Sequence, residues 1–563
     1  MATNQAVTSA LQAVLPDMTA EEIANKVEAP KDTKMGDLAF PTFTLAKVLK
    51  KAPQQIAADL VEQIDQSGFE KVVATGPYIN FFLDKQAMTQ ETLTAVLTAG
   101  DQYGKNNRGQ GQNITLDMSS PNIAKPMSMG HLRSTVIGNA LANLAEENGY
   151  QPVKINHLGD WGTQFGKLIY AYKTWGSEEE VKADPIATLL KYYVEFHDKA
   201  KEDPSLDDEG RAWFKKLEDG DPEAKRLWAW FREESLKEFT EIYDRLGIEF
   251  DSFNGEAFYN DKMDKVVEML EEKNLLQESQ GAQIVDLSPI NENLTPAMIK
   301  RTDGATLYMT RDLAAAIYRK ETYDFAKSLY VVGGEQREHF VQLKAVLTLL
   351  GLPWADDVEH ISFGLITFNG KKMSTRKGDV VLLKDVLDDA HELALSQINE
   401  KNPDLANKDQ VAEEVGAGAV VFHDLMNDRT NNFDFNLGEV VRFEGDTGPY
   451  VQYTNARAQS ILRKAGVAVN EGQISLDDSQ TWDIVTTLAN FPATVVRAFD
   501  HREPSVIAKY ALTLARSFNK YYANSKILAE DENLNGRLAL VKAVSTTLTI
   551  ALSILGVQAP KEM

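Results

Sequence analysis

Cysteine is absent from the 563 residues, which excludes disulfides and thiolate metal sites. Eight histidines are scattered without a pair such as HxxxH, so no zinc is expected and no metal-ligating residues are assigned. Long apolar runs are missing too. No stretch approaches the roughly 18 apolar residues of a membrane span, and no N-terminal run resembles a signal peptide. The expected setting is soluble and cytoplasmic, without a membrane partner. Positive charge is in deficit: 59 Lys and Arg face 83 Asp and Glu, a net charge of −24. That argues against nonspecific adhesion to DNA and other nucleic acid, although one local face can still hold a polyanion. What is present is apolar mass, 43% of the chain, enough for several cores. The length predicts roughly three or four domains.

The stretch from Asn113 to Gly149 organises the rest. Ile114, Leu116 and Met118 alternate with Thr115 and Asp117, a strand pattern. A turn follows at Ser119-Ser120-Pro121-Asn122. After Ser128-Met129-Gly130-His131, the residues Leu132, Val136, Ile137, Ala140, Leu141 and Leu144 fall on one helical face. Asn148-Gly149 stops the helix, and Val153–His157 reads as a second strand. This is a βαβ unit. Its crevice, at a strand's carboxyl end and a helix's amino end, favours an anion. Gly130 lets a flat group approach the backbone. His131 can donate to phosphate oxygens, and Lys125 adds charge, so the crevice suits a nucleoside triphosphate.

Residues 1–110 read as a separate α+β domain, with a helix over 53–64 and strands at 72–73 and 78–83, ending in a Gly- and Asn-rich linker over 104–112. Residues 111–440 form the larger domain. Its Leu158-Gly159-Asp160-Trp161-Gly162 loop lies at a strand's carboxyl end, where open α/β sheets bind ligands. Residues 171–290 look like charged, helical insertions. The nucleotide fold resumes with 305–311, 328–334 and 361–368. Asn369-Gly370 is a turn leading into Lys371-Lys372-Met373-Ser374-Thr375-Arg376-Lys377, a basic, hydroxyl-rich run that could equally be a solvated turn. Residues 441–563 predict a helical bundle.

Three separated blocks then agree. SMGH at a helix start and KMSTR after a later strand resemble the HIGH and KMSKS motifs of class I aminoacyl-tRNA synthetases. SSPNIAKP, NHLGDWGTQFG, YMTRDLAAA, VVGGEQREHF, NGKKMSTRKG and GPYVQYTNARAQSI, in that order, resemble the arginyl-tRNA synthetase family over nearly the whole chain. The resemblance implies an α/β, Rossmann-type catalytic domain, an N-terminal α+β domain that contacts tRNA, and an all-α anticodon-binding domain. It implies ATP-dependent ligation of L-arginine to tRNA(Arg) through an arginyl-adenylate, with Mg2+ accompanying ATP, in a monomer.

By the same resemblance Ser128, Gly130, His131, Lys125, Lys372, Ser374 and Lys377 are catalytic. Asp117, Asn122, Tyr308, Asp312 and Gln336 bind arginine. Met129, Gly130, His131, His157, Gly333, Gly334, Glu335, His339, Met373 and Ser374 bind ATP, although a core or capping role for His157 and His339 stays open. Tyr450, Gln452, Tyr453, Asn455 and Arg457 read the anticodon. Two departures matter. Ser128 stands where the family has histidine and Thr375 where it has lysine, so Lys125, Lys372 and Lys377 are the candidate phosphate cations. Another class I synthetase, such as the cysteinyl enzyme, and an inactive tRNA-binding paralogue are the alternatives. The missing cysteines and the Tyr308–Asp312 pair oppose the first. Intact Gly130-His131 and Met373-Ser374 oppose the second.

Overall fold

A computed structural model describes residues 2–563 except 31, 302–307, 369–370, 373–380, 473 and 477. Met373, Ser374, Thr375 and Lys377 therefore lie outside the described residues, as does the start of the 305–311 segment.

Four parallel strands form the central sheet, in the order Val358–His360, Lys327–Tyr330, Asn113–Asp117, Gln151–Ile155. The helix Met129–Glu147 crosses over between Asn113–Asp117 and its neighbour Gln151–Ile155. The next strand in this sheet, Lys327–Tyr330, lies on the other side of Asn113–Asp117. Strand order reverses at that point, which leaves a crevice at the carboxyl ends of the two middle strands. Ile114, Leu116 and Leu329 are fully buried there, as expected for strands covered on both faces.

The N-terminal unit has its own core. Phe69–Thr75 and Tyr78–Leu83 pair around Gly76 (φ +57°), and Leu38–Pro41 adds a third antiparallel strand. Val7, Leu11, Phe40, Ile56 and Phe81 fill it. The boundary expected at 110 moves. Helix Lys85–Ala99 packs on the C-terminal helices Trp482–Ala489 and Leu534–Ile554, with Leu93 and Val96 fully buried. The stretch over 104–112 is no loose linker either. The N–H groups of Asn106, Gly109 and Gly111 bond the carbonyls of Glu147, Asn148 and Gly149, closing the end of Met129–Glu147.

Two further expectations give way. The insertion is helical through Pro222–Leu246, but Leu276–Ser279, Ala282–Val285 and Ala297–Lys300 form an antiparallel sheet. Gln280 (φ +51°) and Gly281 (φ +82°) make its first turn, a local signal masked by the charged composition. The helical body also starts before 441. Leu383–Lys401 and Lys408–Met426 pack together, and Lys408–Met426 packs on Gly448–Ala465 and Ser505–Asn524. Between them and the later helices, Phe433–Asp434 pairs as a short strand with Ile366–Phe368. Leu534–Ile554 is long and apolar enough to span a membrane, but 78% of its most apolar window is buried inside the protein. It is a core helix.

Candidate active site

Between the strand Asn113–Asp117 and the helix Met129–Glu147 the chain makes an unusual loop. Ser119 (φ +72°), Ser120 (φ +52°) and Ala124 (φ +61°) are left-handed without being glycine. Asn122, in the middle, is exposed, and its backbone pairs with Gly159 of the neighbouring loop. The Lys125 ammonium lies 5.4 Å from the Tyr193 ring centre and close enough to His131 to disfavour its protonation.

Ser128 caps the helix. Its backbone N–H donates to His131 Nδ1 at 3.1 Å, so the neutral imidazole carries its proton on Nε2. Burial, helped by Lys125, lowers the His131 pKa and keeps the ring neutral near pH 7. Ser128 Oγ lies 3.1 Å from the same Nδ1, so this hydroxyl is engaged within the cap. Gly130 is exposed, and a side chain there would meet only Ser128 Oγ, at 3.4 Å. Its bareness is thus not demanded by internal packing; it leaves open space above the helix start.

The second motif's downstream flank is anchored to the first. Lys371–Lys372 pairs with Thr367 and Phe368. Beyond the undescribed segment, Met129 N–H donates to Val381 O (3.0 Å) and Leu383 N–H to Met127 O (2.9 Å). Two sequence blocks some 240 positions apart thus share one edge.

The carboxylates separate into two kinds. Asp117 is buried, and its Oδ2 pairs with the Arg319 guanidinium at 2.8 Å; Ser120 Oγ bonds Oδ1 at 3.1 Å. Asp312 lies on the helix Tyr308–Tyr323, one side-chain quarter exposed, and accepts from His339 Nε2 at 2.6 Å. Burial alone would raise the Asp312 pKa, but the His339 hydrogen bond, His157 and Arg319 hold it below the usual value. His157 is kept neutral by burial, with Nδ1 3.4 Å from Arg319 and Nε2 4.0 Å from Asp312. His157 and His339, read from sequence as ATP residues, therefore flank the carboxylate expected to hold arginine. Tyr308, one turn before Asp312, is 65% exposed.

Gly333 and Gly334 follow the strand Lys327–Tyr330, and Gly334 N–H bonds Phe363 O at 3.0 Å. Side chains at either would meet nothing closer than 3.5 Å. Glu335 and Gln336 are exposed at the start of the helix Arg337–Leu349.

Sequence reading missed two groups. Arg319 lies seven residues after Asp312, two helical turns along the same face, and is 1% exposed. Its charge in an apolar stripe was a usable signal. Glu256 carries none. Its carboxyl lies 3.9 Å from Arg311, and its pKa is pushed up to about 7 by burial, opposed by Arg311 and reinforced by the charge of Asp312.

On the helix Gly448–Ala465 the five expected RNA-reading residues divide. Gln452 is fully buried and bonds the carbonyls of Glu414 and Gln558. Asn455, 1% exposed, bonds Ser545 and Thr549. Three residues apart on a 3.6-residue period, these two share the inward face of the helix, and their side chains are taken up by contacts within the bundle. Tyr450 is half-buried. Tyr453 and Arg457 line a cleft of about 520 Å3 with Ser460, Lys464 and Tyr522. The Arg457 guanidinium lies 4.9 Å from each of the Tyr453 and Tyr522 rings and bonds Asn519.

Three family models match along the chain: "Arginyl tRNA synthetase N terminal domain" over 2–83, "tRNA synthetases class I (R), catalytic domain" over 92–437, and "DALR anticodon binding domain" over 451–563. The chain is 77% identical to an Arginine--tRNA ligase of Leuconostoc mesenteroides and 76% identical to that of Leuconostoc citreum, over all of both chains in each case. Among solved structures, the Thermus thermophilus arginyl-tRNA synthetase superposes with a TM-score of 0.81 at 26% identity, covering the whole of both chains.

Proposed function

The chain belongs to the arginyl-tRNA synthetase family and joins L-arginine to tRNA(Arg) at the expense of ATP, and within that activity we propose the following division of labour. Asp312 and Tyr308 hold the guanidinium, with Glu256 as a second carboxylate. Asn122 and Gln336 hold the α-amino and carboxylate end. Asp117, already paired with Arg319, sets the crevice wall and does not contact arginine as a free carboxylate. Met129, Gly130, His131, Gly333, Gly334 and Glu335 surround ATP. Lys125, Lys372, Ser374 and Lys377 are the groups that meet its phosphates.

The carrying observation is Asp312. It is ionised and partly exposed, and its hydrogen-bond partner is an imidazole rather than a permanent cation. Beside it burial keeps Glu256 protonated to about pH 7, against the pull of Arg311 and with the charge of Asp312 adding to the effect. A planar, always-charged, five-donor guanidinium supplies positive charge to both.

Adenylation then needs positioning and electrostatics more than covalent help. An arginine carboxylate oxygen attacks the α-phosphorus and the bond to pyrophosphate breaks. The neutral His131 Nε2–H and the Lys125 ammonium donate to phosphate oxygens as charge moves toward the leaving group. The terminal ribose hydroxyl of tRNA then attacks the adenylate carbonyl and AMP leaves. Mg2+ arriving on ATP would share the phosphate charge. Such an ion keeps phosphate and water ligands and needs no protein cage, and no cluster of three His, Asp or Glu occurs among the described residues.

Tyr453 and Arg457, with Tyr522, offer stacking surfaces to unstacked anticodon bases. Residues 2–83 form the further tRNA contact. The enzyme works as a cytoplasmic monomer.

ATP–pyrophosphate exchange with tRNA present tests the arginine pocket. Arginine should support exchange, and its neutral isostere citrulline should lose roughly 10²–10³-fold, the cost of an unpaired buried carboxylate. An Asp312→Asn variant that keeps arginine kcat/KM within roughly tenfold of the parent removes Asp312 from this role.

A further inference from the structure

The helix Pro222–Leu246 lies in the acidic insertion, about 90 residues beyond Ser128–His131 in sequence, yet its side chains reach both loops of the crevice. Tyr243, 2% exposed, has its phenol oxygen 2.7 Å from Ser119 Oγ and accepts Asn156 Nδ2 at 2.9 Å. Ser235, fully buried, accepts the Ala124 N–H at 3.0 Å. Arg232 Nε pairs with the buried Asp160 at 2.9 Å, and Trp228 Nε1 donates to the Asp160 carbonyl at 2.7 Å. At the helix's other end Arg245 grips Glu413 at 2.7 and 3.2 Å and Asp388 at 2.6 Å. Those carboxylates belong to Lys408–Met426 and Leu383–Lys401.

Ser119, Ser120 and Ala124 all sit at positive φ, where a side chain costs energy. A loop of that kind keeps its shape only while groups outside it hold it. Ser119 N–H bonds Ser134 Oγ at 2.8 Å, and Ser119 Oγ also touches Thr135 Oγ1 at 2.9 Å. Thr135 in turn donates to the His131 carbonyl at 2.7 Å. The Tyr243 phenol is thus one member of a hydroxyl chain that runs from the second crevice loop, through Ser119, to the first turn of the signature helix. Burial pushes this phenol up to about 12, so it stays a protonated donor.

We infer that Pro222–Leu246 is the positioning element of the active site, with Tyr243 and Ser235 as positioning residues that hold Ser119–Lys125 in working shape. Neither touches substrate. Each acts through the loop that carries Asn122 and Lys125, and Arg245 ties the same helix to the helical body. The inference rests on Asn122 and Lys125 acting in the crevice as proposed above.

Tyr243→Phe and Ser235→Ala each remove one oxygen at nearly constant volume in the full-length enzyme. Single-turnover adenylation with tRNA present should slow roughly tenfold in Tyr243→Phe and up to a hundredfold in the double variant, the scale for a small misplacement of reacting groups. KM for tRNA and the melting temperature relative to the assay should stay close to parental. Ser119→Ala should slow the same step, and adding it to Tyr243→Phe should cost no more than the worse single change, since both cut one contact. Parental rates, strictly additive losses in that pair, or losses that track the unfolded fraction would overturn the inference. Asn122→Ala and Lys125→Ala are measured alongside. Full activity in both removes the site reading itself, whereas crippled direct variants beside normal Tyr243→Phe and Ser235→Ala remove only the positioning role.

Discussion

Asp117 and Asp312 stand in one crevice and have opposite fates. Asp117, at the end of a central strand, is buried and paired at 2.8 Å with a guanidinium that is itself 1% exposed. Asp312, on the distant helix Tyr308–Tyr323, keeps a quarter of its side chain exposed and leans on an imidazole at 2.6 Å. A carboxylate whose charge is already matched inside the protein serves the fold. One that remains ionised beside a replaceable partner is free to bind. Residue type is the same in both; burial and the neighbour decide. The Arg133–Asp424 pair, both groups 1% exposed, belongs with Asp117: it joins the signature helix to Lys408–Met426. Burial raises Asp424 to about 6 despite Arg133.

The largest effect should come from breaking the buried member. Arg319→Met leaves Asp117 charged and unpaired, and should cost about 3–5 kcal/mol of stability. Asp312→Asn should change stability by less than about 1 kcal/mol, since it gives up part of one hydrogen bond. Urea denaturation of both variants checks this, and equal destabilisation would erase the distinction between the two carboxylates.

Next in size is Lys125. If Thr375 cannot supply the lysine's charge, Lys125→Ala should slow adenylation by roughly 10²–10³-fold with tRNA bound, the scale for one preorganised donor. Lys377→Ala should cost much less. Single-turnover rates decide between them, and the reverse order would transfer the role to Lys377.

Glu256 sharpens the comparison by pH. Its folded pKa of about 7 lies above the ordinary 4.5, so the fold favours the protonated form. Its contribution to ligand-free stability is complete below pH 4.5 and is lost as pH rises through 7. An arginine cation reverses the preference, so binding releases a proton. KM for arginine should fall roughly tenfold from pH 6 to pH 8, about one pKa unit's worth of coupling. Glu256→Gln should flatten that slope; a slope that survives in the variant would assign it to another group.

The smallest effect extends the same rule to the C-terminal helix. Arg457, half-exposed between Tyr453 and Tyr522, should bind RNA, whereas Gln452 and Asn455 should hold the bundle together. Arg457→Ala should weaken tRNA binding by about 1–2 kcal/mol without shifting the melting point. Asn455→Ala should do the opposite, and filter binding beside thermal melts separates them.

Much was legible before any coordinates. Alternation over Ile114–Met118 and the 3.6-residue spacing from Leu132 to Leu144 are local properties, and the βαβ unit followed from them. The long apolar faces of Ser505–Asn524 and Leu534–Ile554 were visible for the same reason. Motif order carried the family, because SMGH, YMTRD and KMSTR keep their identities wherever the chain takes them. Expectations failed where composition stood in for contact. A Gly- and Asn-rich stretch looked like a linker yet closes the end of a helix. A charged insertion looked helical in pattern yet holds a sheet and, in Pro222–Leu246, the braces of the active site.

The sequence by itself determined the elements, their order, the nucleotide crevice and the chemistry of the groups available to it, since backbone propensity and side-chain type act over a few residues. Only the tertiary structure decided which groups are occupied. It set Arg319 on Asp117, left Asp312 to His339, turned Gln452 and Asn455 inward, and brought Tyr243 to Ser119 from 124 residues away. Those outcomes depend on burial and charge pairing between distant segments, and such energies exist only once the chain has closed around them.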